Sequence, residues 1–160
     1  VMTVITSTGM VTVNAAFLQE IKEVNQELWT LLTDLRHRCQ RPIAPSHCRS
    51  LIDRLCHLRD QLALHFSLEE AYGYFEDAVD IAPQLCEQAE SLRNQHQTLF
   101  GDFCRTVEQA DELCYGPADD HARAKVARAF HNFRADLLLH EARERDLIFA
   151  AFNDDYGAGD

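Results

Sequence analysis

Apolar side chains recur at steps of three and four along most of this chain. The first series with this spacing reads Leu18, Ile21, Asn25, Leu28, Leu32 and Leu35. Such a series is the buried stripe of an amphipathic helix. Three further segments have the same period, and the prolines stand at the breaks between segments, where helices end or begin. The predicted helices span residues 15–37, 47–79, 83–114 and 120–152.

The connections between these helices are short, which makes neighbouring helices run antiparallel. We therefore expect an all-α fold, an antiparallel up-down-up-down four-helix bundle around one shared core. Ser46 is a candidate N-cap for the second helix, Asp119 or Asp120 for the fourth, and Pro83 suits the first turn of the third. The predicted organisation is a flexible leader at 1–14, the bundle at 15–152 and a flexible tail at 153–160.

Polar residues interrupt each apolar stripe near its middle. They are Asn25 in the first stripe, His65 and Glu69 in the second, His96 in the third, and His140 and Glu144 in the fourth. Counted from the connecting turns at about 1.5 Å per residue, these positions fall close to one layer of the bundle. Each glutamate follows its histidine by four residues, so the two side chains share one helix face, a turn apart.

An internal repeat supports the same layer. The segment from Asn25 to Trp29 matches the segment from His96 to Phe100. The segment from Leu58 to Glu69 matches the one from Phe133 to Glu144 in the same way. The predicted bundle is therefore a pseudo-two-fold repeat of helix hairpins, in which each hairpin supplies one polar residue and one His-x-x-x-Glu pair.

Three imidazoles and two carboxylates in an apolar core are costly unless they are paired. A metal removes this cost, because iron, manganese and zinc accept both ligand types, and two carboxylates between level histidines can bridge two cations. A metal-free His/Glu network is the alternative, since it satisfies the same groups by charge-assisted hydrogen bonds. The sequence favours the metal, because the motif occurs twice and a third histidine faces both copies.

The remaining polar residues near the stripes are predicted to lie outside the ligand set. These are the histidines His37, His47, His57, His121 and His131. Glu70 leaves the stripe by about 100° and is expected in solvent. Tyr72, one turn beyond Glu69, is placed to hydrogen-bond a bridging carboxylate, and a packed core tyrosine is the equal alternative.

Around these residues the chain resembles the hemerythrin-like family, the HHE cation-binding domains. The resemblance covers about residues 15–152 and is carried by His65-Phe66-Ser67-Leu68-Glu69-Glu70, Gln95-His96-Gln97 and His140-Glu141-Ala142-Arg143-Glu144. It implies a non-haem di-iron centre, with His65, His96 and His140 as terminal ligands and Glu69 and Glu144 as bridges. It also implies a protein that binds or senses dioxygen, iron or redox state, with dioxygen, another small diatomic or peroxide as its ligand.

The first and third helices depart from the family pattern. Asn25 stands where the family has a histidine, and Phe100 stands where oxygen carriers have a second histidine on the third helix. An amide oxygen is a weaker ligand than imidazole, so a site with one tightly bound ion is as consistent with the sequence as a tight pair. Zinc or manganese in place of iron stays open. So do a metal-free helical interaction module and an enzyme that reduces peroxide or nitric oxide at the same centre.

The charge of the chain argues against polyanionic partners. Its 15 basic and 26 acidic residues give a formal net charge of −11. This balance repels nucleic acid and anionic membrane surfaces unless a local patch reverses it, and the arginines look scattered among acids. We therefore expect no cationic patch, no nucleic acid and no membrane, and leave a protein partner open.

Length and cysteine content predict a single domain inside the cell. The 160 residues, 46% of them hydrophobic, can bury one core, and no apolar run is long enough for a membrane span. The first residues lack the basic region of a secretory signal. The six cysteines never form Cys-x-x-Cys, so we expect reduced thiols, with Cys39 and Cys48 as the one pair to test for a bridge. The predicted localisation is cytoplasmic.

Overall fold

Four long helices make up the protein, for which we describe a computed structural model covering residues 23–71, 79–80, 82–116 and 119–157, with side chains to residue 151. Helix α1 covers 23–39, α2 Cys48–Ala71, α3 Cys86–Glu112 and α4 Asp120–Gly157. Across these ranges there is no β-strand, and α3 packs against both α2 and α4. The predicted all-α four-helix bundle is confirmed.

The helix boundaries follow local chemistry. Pro45 opens a 3₁₀ turn, Pro45–His47, because its fixed φ already suits a helical turn. Ser46 therefore lies inside this turn, and the prediction that it caps α2 is wrong. Pro83 opens a second 3₁₀ turn ahead of α3. At the start of α4 the prediction holds, since Asp119 Oδ1 accepts a hydrogen bond from Ala122 N at 2.7 Å.

The predicted termini are only partly visible. Helix α4 continues to Gly157, so it includes residues 153–157 of the predicted flexible tail. The predicted leader at 1–14, the start of the first helix and residues 158–160 lie outside the described residues. Tyr72 lies outside them as well.

A larger and a smaller apolar cluster lie on the two sides of the polar layer, and a further buried pair, Ala82 with Ala151, adjoins the smaller one through Leu85. The larger one extends from the α1–α2 connection to Leu62, Leu99 and Leu137, and the smaller one contains Leu92 and Leu147. Truncating any of these leucines to alanine is expected to cost about 2–5 kcal/mol, because the lost contacts leave a cavity. His96 lies between Leu92 and Leu99 on α3, and the His140 segment lies between Leu137 and Leu147 on α4. The polar layer therefore lies between two apolar regions of the core.

All six cysteines are free thiols, as predicted. Cys39 and Cys48 are both buried in the larger cluster, and they are not bonded to each other. Burial raises the pKa of the Cys39 thiol to about 11, while the nearby Arg38 charge lowers it slightly. Separately, within the described part of the chain no helix combines the length and apolar character that crossing a bilayer requires.

Candidate metal centre

A first group of possible metal ligands joins α2 to α4. His65 and Glu69 lie one turn apart on α2, with His65 Nε2 3.2 Å from Glu69 Oε1. Glu141 reaches across from α4, and its Oε1 lies 2.8 Å from the same His65 nitrogen. Both α2 side chains are buried and Glu141 is half-buried. One nitrogen and two carboxylate groups therefore converge on a single point.

A second group joins α3 to α4 and contains His96, His140 and Glu144, all buried. Glu144 Oε1 lies 2.9 Å from His140 Nε2 and 3.2 Å from His96 Nε2. The two imidazole rings meet edge to face with their centroids 4.9 Å apart. In each of the two groups the candidate ligand atoms lie within 4.8 Å of one another, which is the spacing that a single cation could span.

Glu69 connects the two groups. Its Oε1 faces His65 in the first group, and its Oε2 lies 3.5 Å from His96 Nε2 in the second. The carboxylate thus directs one oxygen to each group. This is the arrangement expected of a carboxylate that bridges two metals.

The outer nitrogens of two histidines are held by acceptors. His96 Nδ1 lies 2.9 Å from Glu70 Oε1, and His140 Nδ1 lies 3.1 Å from Gln95 Oε1. A carboxylate and an amide oxygen can only accept here, so each Nδ1 donates its proton. In the neutral form of each ring, Nε2 then presents a lone pair towards Glu144 that is available for coordination, as in metal sites where an outer partner fixes the histidine tautomer.

The carboxylates of the two groups have opposite electrostatic environments. Burial, together with the negative charges of Glu144, Glu141 and Glu70, raises the pKa of Glu69 to about 10. Burial also acts to raise the pKa of Glu144, but the close contacts with His140 and His96 and the positive charge of their protonated rings outweigh it and lower that pKa to about 2. Without a cation, the centre therefore stabilises the ionised form of Glu144 but has too little positive charge near Glu69 to stabilise the ionised form of that residue.

Three buried polar atoms of residues predicted as strong or weak ligands lack a hydrogen-bond partner. They are Glu69 Oε2, His140 Nε2 and Asn25 Oδ1. His140 Nε2 is close to Glu144 Oε1, yet the angle between them does not make a hydrogen bond. Buried polar atoms without partners are rare in folded proteins, and here they belong to the residue types that bind metals. The donor set therefore fits a metal better than a closed hydrogen-bond network.

The five residues predicted as ligands from the sequence all lie in these two groups. Asn25, predicted as a weak ligand or an open position, belongs to neither group, although its Oδ1 is buried. Glu141 was missed, because it follows His140 directly and so leaves the stripe, and the internal repeat has Phe66 at the equivalent position. The signal was weak: only its charge beside a ligand histidine pointed to it.

Glu70 is exposed, as predicted, and belongs to neither group, but it also contacts a ligand histidine. Its side chain is 44% exposed, yet one oxygen holds His96 Nδ1. A glutamate that leaves the stripe can do this because its long side chain reaches sideways to the neighbouring helix. Phe66 stacks on the same ring, with centroids 4.2 Å apart, so His96 is fixed from two sides.

The histidines predicted as non-ligands lie elsewhere. His57 pairs with Glu27 at 2.8 Å on the exposed surface, and His131 Nε2 lies 3.2 Å from the carbonyl oxygen of Cys39. His37, His47 and His121 are exposed at helix ends. None of them belongs to a candidate metal group among the described residues.

No protein-family model, curated protein or solved structure matches this chain. The resemblance to hemerythrin-like proteins therefore stays a prediction from the motifs alone. What the geometry adds is independent of that resemblance, since it consists of distances and contacts between side chains of this protein.

Proposed function

We propose that this protein is a metal-binding helical bundle that holds two cations side by side, one in each group. The observation that carries the proposal is the convergence of two buried imidazole nitrogens on one buried carboxylate oxygen, with His96 Nε2 3.2 Å and His140 Nε2 2.9 Å from Glu144 Oε1. The Nδ1 atom of each ring lies beside an outer acceptor, so a neutral ring that keeps its proton at Nδ1 presents a lone pair from Nε2 towards Glu144. A lone pair opposite a carboxylate is unfavourable unless a proton or a cation lies between them, and a cation satisfies both rings at once.

The two positions are chemically unequal. The first group offers one imidazole and two carboxylates, and the second offers two imidazoles and one carboxylate. Imidazole-rich sites bind the borderline divalent metals more tightly than carboxylate-rich sites. The second group is therefore the tighter position. Glu141 supplies the first group with a carboxylate but not with a nitrogen, so that position is the labile one.

Iron is the metal that we propose, with zinc or manganese as the alternatives. Mixed imidazole and carboxylate ligands suit all three, and the resemblance described above favours iron. A bound iron pair would supply one-electron chemistry and an open position for a small ligand. The functional class is then binding or sensing of dioxygen, iron or redox state, with dioxygen, another small diatomic or peroxide as the ligand.

Metal content tests the proposal directly. Full-length protein is purified without chelator, and its metals are counted by elemental analysis. It is then depleted and titrated anaerobically with Fe²⁺, Zn²⁺ and Mn²⁺ in separate experiments. We expect one tight and one weaker ion per chain, and an oxidised-iron absorption spectrum after exposure to air. Protein that retains no metal and binds none at micromolar concentration would be a metal-free helical module instead.

Paired histidine variants on α4 provide the control. His140→Ala removes a ligand of the second group and is expected to abolish the tight ion. His131→Ala removes a histidine of the same helix that lies outside both groups, with its Nε2 3.2 Å from the carbonyl oxygen of Cys39, and is expected to keep both ions. Equal loss of metal in both variants would show that folding, not coordination, was disturbed. Peroxide and nitric oxide turnover in the loaded wild type distinguishes a sensor from an enzyme.

A further inference from the structure

The α1–α2 connection concentrates positive charge on a strongly acidic protein. Residues 35–52 contain no aspartate or glutamate. The basic residues in this stretch are Arg36, His37, Arg38, Arg41, His47 and Arg49. Against a net charge of −11, the stretch reverses the sign locally. The prediction that the arginines are scattered among acids is wrong for the α1–α2 connection. That prediction was made from the whole chain, and it overlooked this stretch.

This stretch encloses a groove of about 580 Å³. Basic side chains of His37, Arg38, Arg41 and His47 line it together with apolar Ile43 and Leu51. Such a volume is in the range of sites that hold small organic molecules. The groove therefore combines a cationic part with an apolar wall.

The one acidic residue in the described lining of the groove is already neutralised. Asp34 Oδ2 lies 2.9 Å from Arg38 Nε and 3.7 Å from Arg54 Nε, so two guanidinium groups share one carboxylate. Arg41 is exposed and has no ion pair with any residue that the structure describes. The groove consequently keeps a net positive charge at neutral pH.

Arg41 also lines a second groove, of about 460 Å³, on the α4 side of the connection. Arg123 and Arg128 lie in that lining, and Arg123 is paired with Asp120. Arg41 thus stands between two cavities that both carry basic residues. This position makes it the one arginine whose removal affects both.

We infer that the groove at the α1–α2 connection binds a small organic anion, with a phosphate or carboxylate group at Arg41 and an apolar body against Ile43 and Leu51. A guanidinium group binds such anions through two parallel hydrogen bonds, and the apolar wall favours an ester over the bare ion. The site is separate from the proposed metal centre, because Leu51 in the groove and His65 in the centre lie about 21 Å apart along α2 at the rise of a helix. It does not depend on whether the centre binds metal.

Phenyl phosphate, phenylacetate and inorganic phosphate are the three probes, each titrated into the full-length protein as purified. Binding is measured by calorimetry and by amide chemical shifts. We expect shifts confined to residues 37–47 and their neighbours across the groove, and tighter binding of phenyl phosphate than of inorganic phosphate. The first two probes separate a phosphate head from a carboxylate head. Absence of binding by all three would overturn the proposal, even if a duplex DNA or an anionic vesicle bound.

Two matched arginine variants complete the experiment. Arg41→Ala is expected to weaken the preferred probe about tenfold, because a charge-assisted pair is lost. Arg145→Ala removes the same charge from an exposed position on α4 and is expected to leave affinity within about twofold. Equal weakening by both variants would mean that the probe responds only to the long-range electrostatic field of the protein, and it would overturn the proposed site. Both residues are exposed, and circular dichroism verifies that each variant is folded.

Discussion

Each imidazole of the second group performs two tasks with its two nitrogens. His96 donates from Nδ1 to Glu70 and presents Nε2 to Glu144, and His140 does the same with Gln95 and Glu144. The outer contacts therefore decide which nitrogen is available inside the bundle. Because an acceptor that loses its hydrogen bond lets the ring rotate or change tautomer, metal affinity should depend on residues that never touch the metal.

Gln95→Leu tests this dependence. The substitution removes the acceptor of His140 Nδ1 while keeping a helix-forming side chain of similar size, so we expect metal affinity to fall about 10–100-fold with the stoichiometry unchanged. Competition with a chromophoric chelator measures the affinity. Gln88→Leu, at an exposed position of the same helix, is the control and should bind as the wild type does. An unchanged affinity in Gln95→Leu would show that the acceptor beside His140 Nδ1 does not influence metal binding.

Glu69 predicts a pH dependence of the metal-depleted protein. Its pKa is raised to about 10 in the folded state from an ordinary value of 4.5, so its contribution to stability is fully present below pH 4.5 and is lost as the pH rises towards 10. Glu69→Gln stays neutral throughout. The free energy of unfolding should therefore shift in favour of the variant from pH 5 to pH 9, by up to about 1.4 kcal/mol per pH unit.

Urea denaturation of chelator-treated wild type and Glu69→Gln at matched pH values measures this shift. Glu144, whose pKa is lowered to about 2, is ionised throughout this pH range, so its own titration does not add to the difference. A difference that stays constant over this range would mean that Glu69 is already ionised in the folded protein, and that a nearby positive charge compensates it.

At the level of helices, the ligands are divided unevenly. Helices α2, α3 and α4 supply all six candidate ligands, whereas the described part of α1 supplies only Asn25, which belongs to neither group. Helix α1 contributes instead to the apolar cluster through Leu28, Leu32 and Leu35. The described part of α1 therefore supplies no ligand to either group. A stronger donor on that helix should complete the centre.

Asn25→His is expected to tighten the weaker ion, because imidazole replaces an amide oxygen as the available donor. Anaerobic titration with Fe²⁺ should show the second binding step moving to lower metal concentration while the first is unchanged. Asn25→Ala, which offers no donor, is the control and should leave the second step weak. Equal affinities in the two variants would exclude α1 from the centre.

For the whole molecule, the polar layer is the part of the core that opposes folding, because the rest of the core is apolar. The larger and smaller clusters meet on either side of it, and the buried carboxylates and imidazoles between them oppose folding when they are not compensated. A cation in the first group joins α2 to α4, and a cation in the second joins α3 to α4. Metal binding and folding should therefore be coupled.

Metal removal is expected to lower the melting temperature. At a free metal concentration of 100 times Kd, a single site stabilises the fold by about 2.7 kcal/mol, which corresponds to about 5 °C or more for a chain of this size. Differential scanning calorimetry of loaded and depleted protein measures the difference. His140→Ala should show little or no such shift. A melting temperature independent of metal would contradict binding in the core.

The sequence by itself determined the helices and the residues that each helix turns inward. Period, breaks and caps are local properties, since helical geometry fixes which side chains share a face. For this reason the inward positions of His65, His96 and His140 could be predicted, along with the bundle itself. The cap at Asp119 is equally local. Ser46 shows the limit, because Pro45 opens a 3₁₀ turn that includes Ser46 ahead of α2.

Only the tertiary structure decided how the inward residues are grouped. Glu141 joins His65, and Glu70 joins His96, across two different helix pairs, and neither contact follows from spacing along one helix. Such contacts depend on the rotation and offset of neighbouring helices, to which a long side chain adapts by its own reach. The same holds for the groove around Arg41, where residues from the end of α1, the connection and the start of α2 come together through folding.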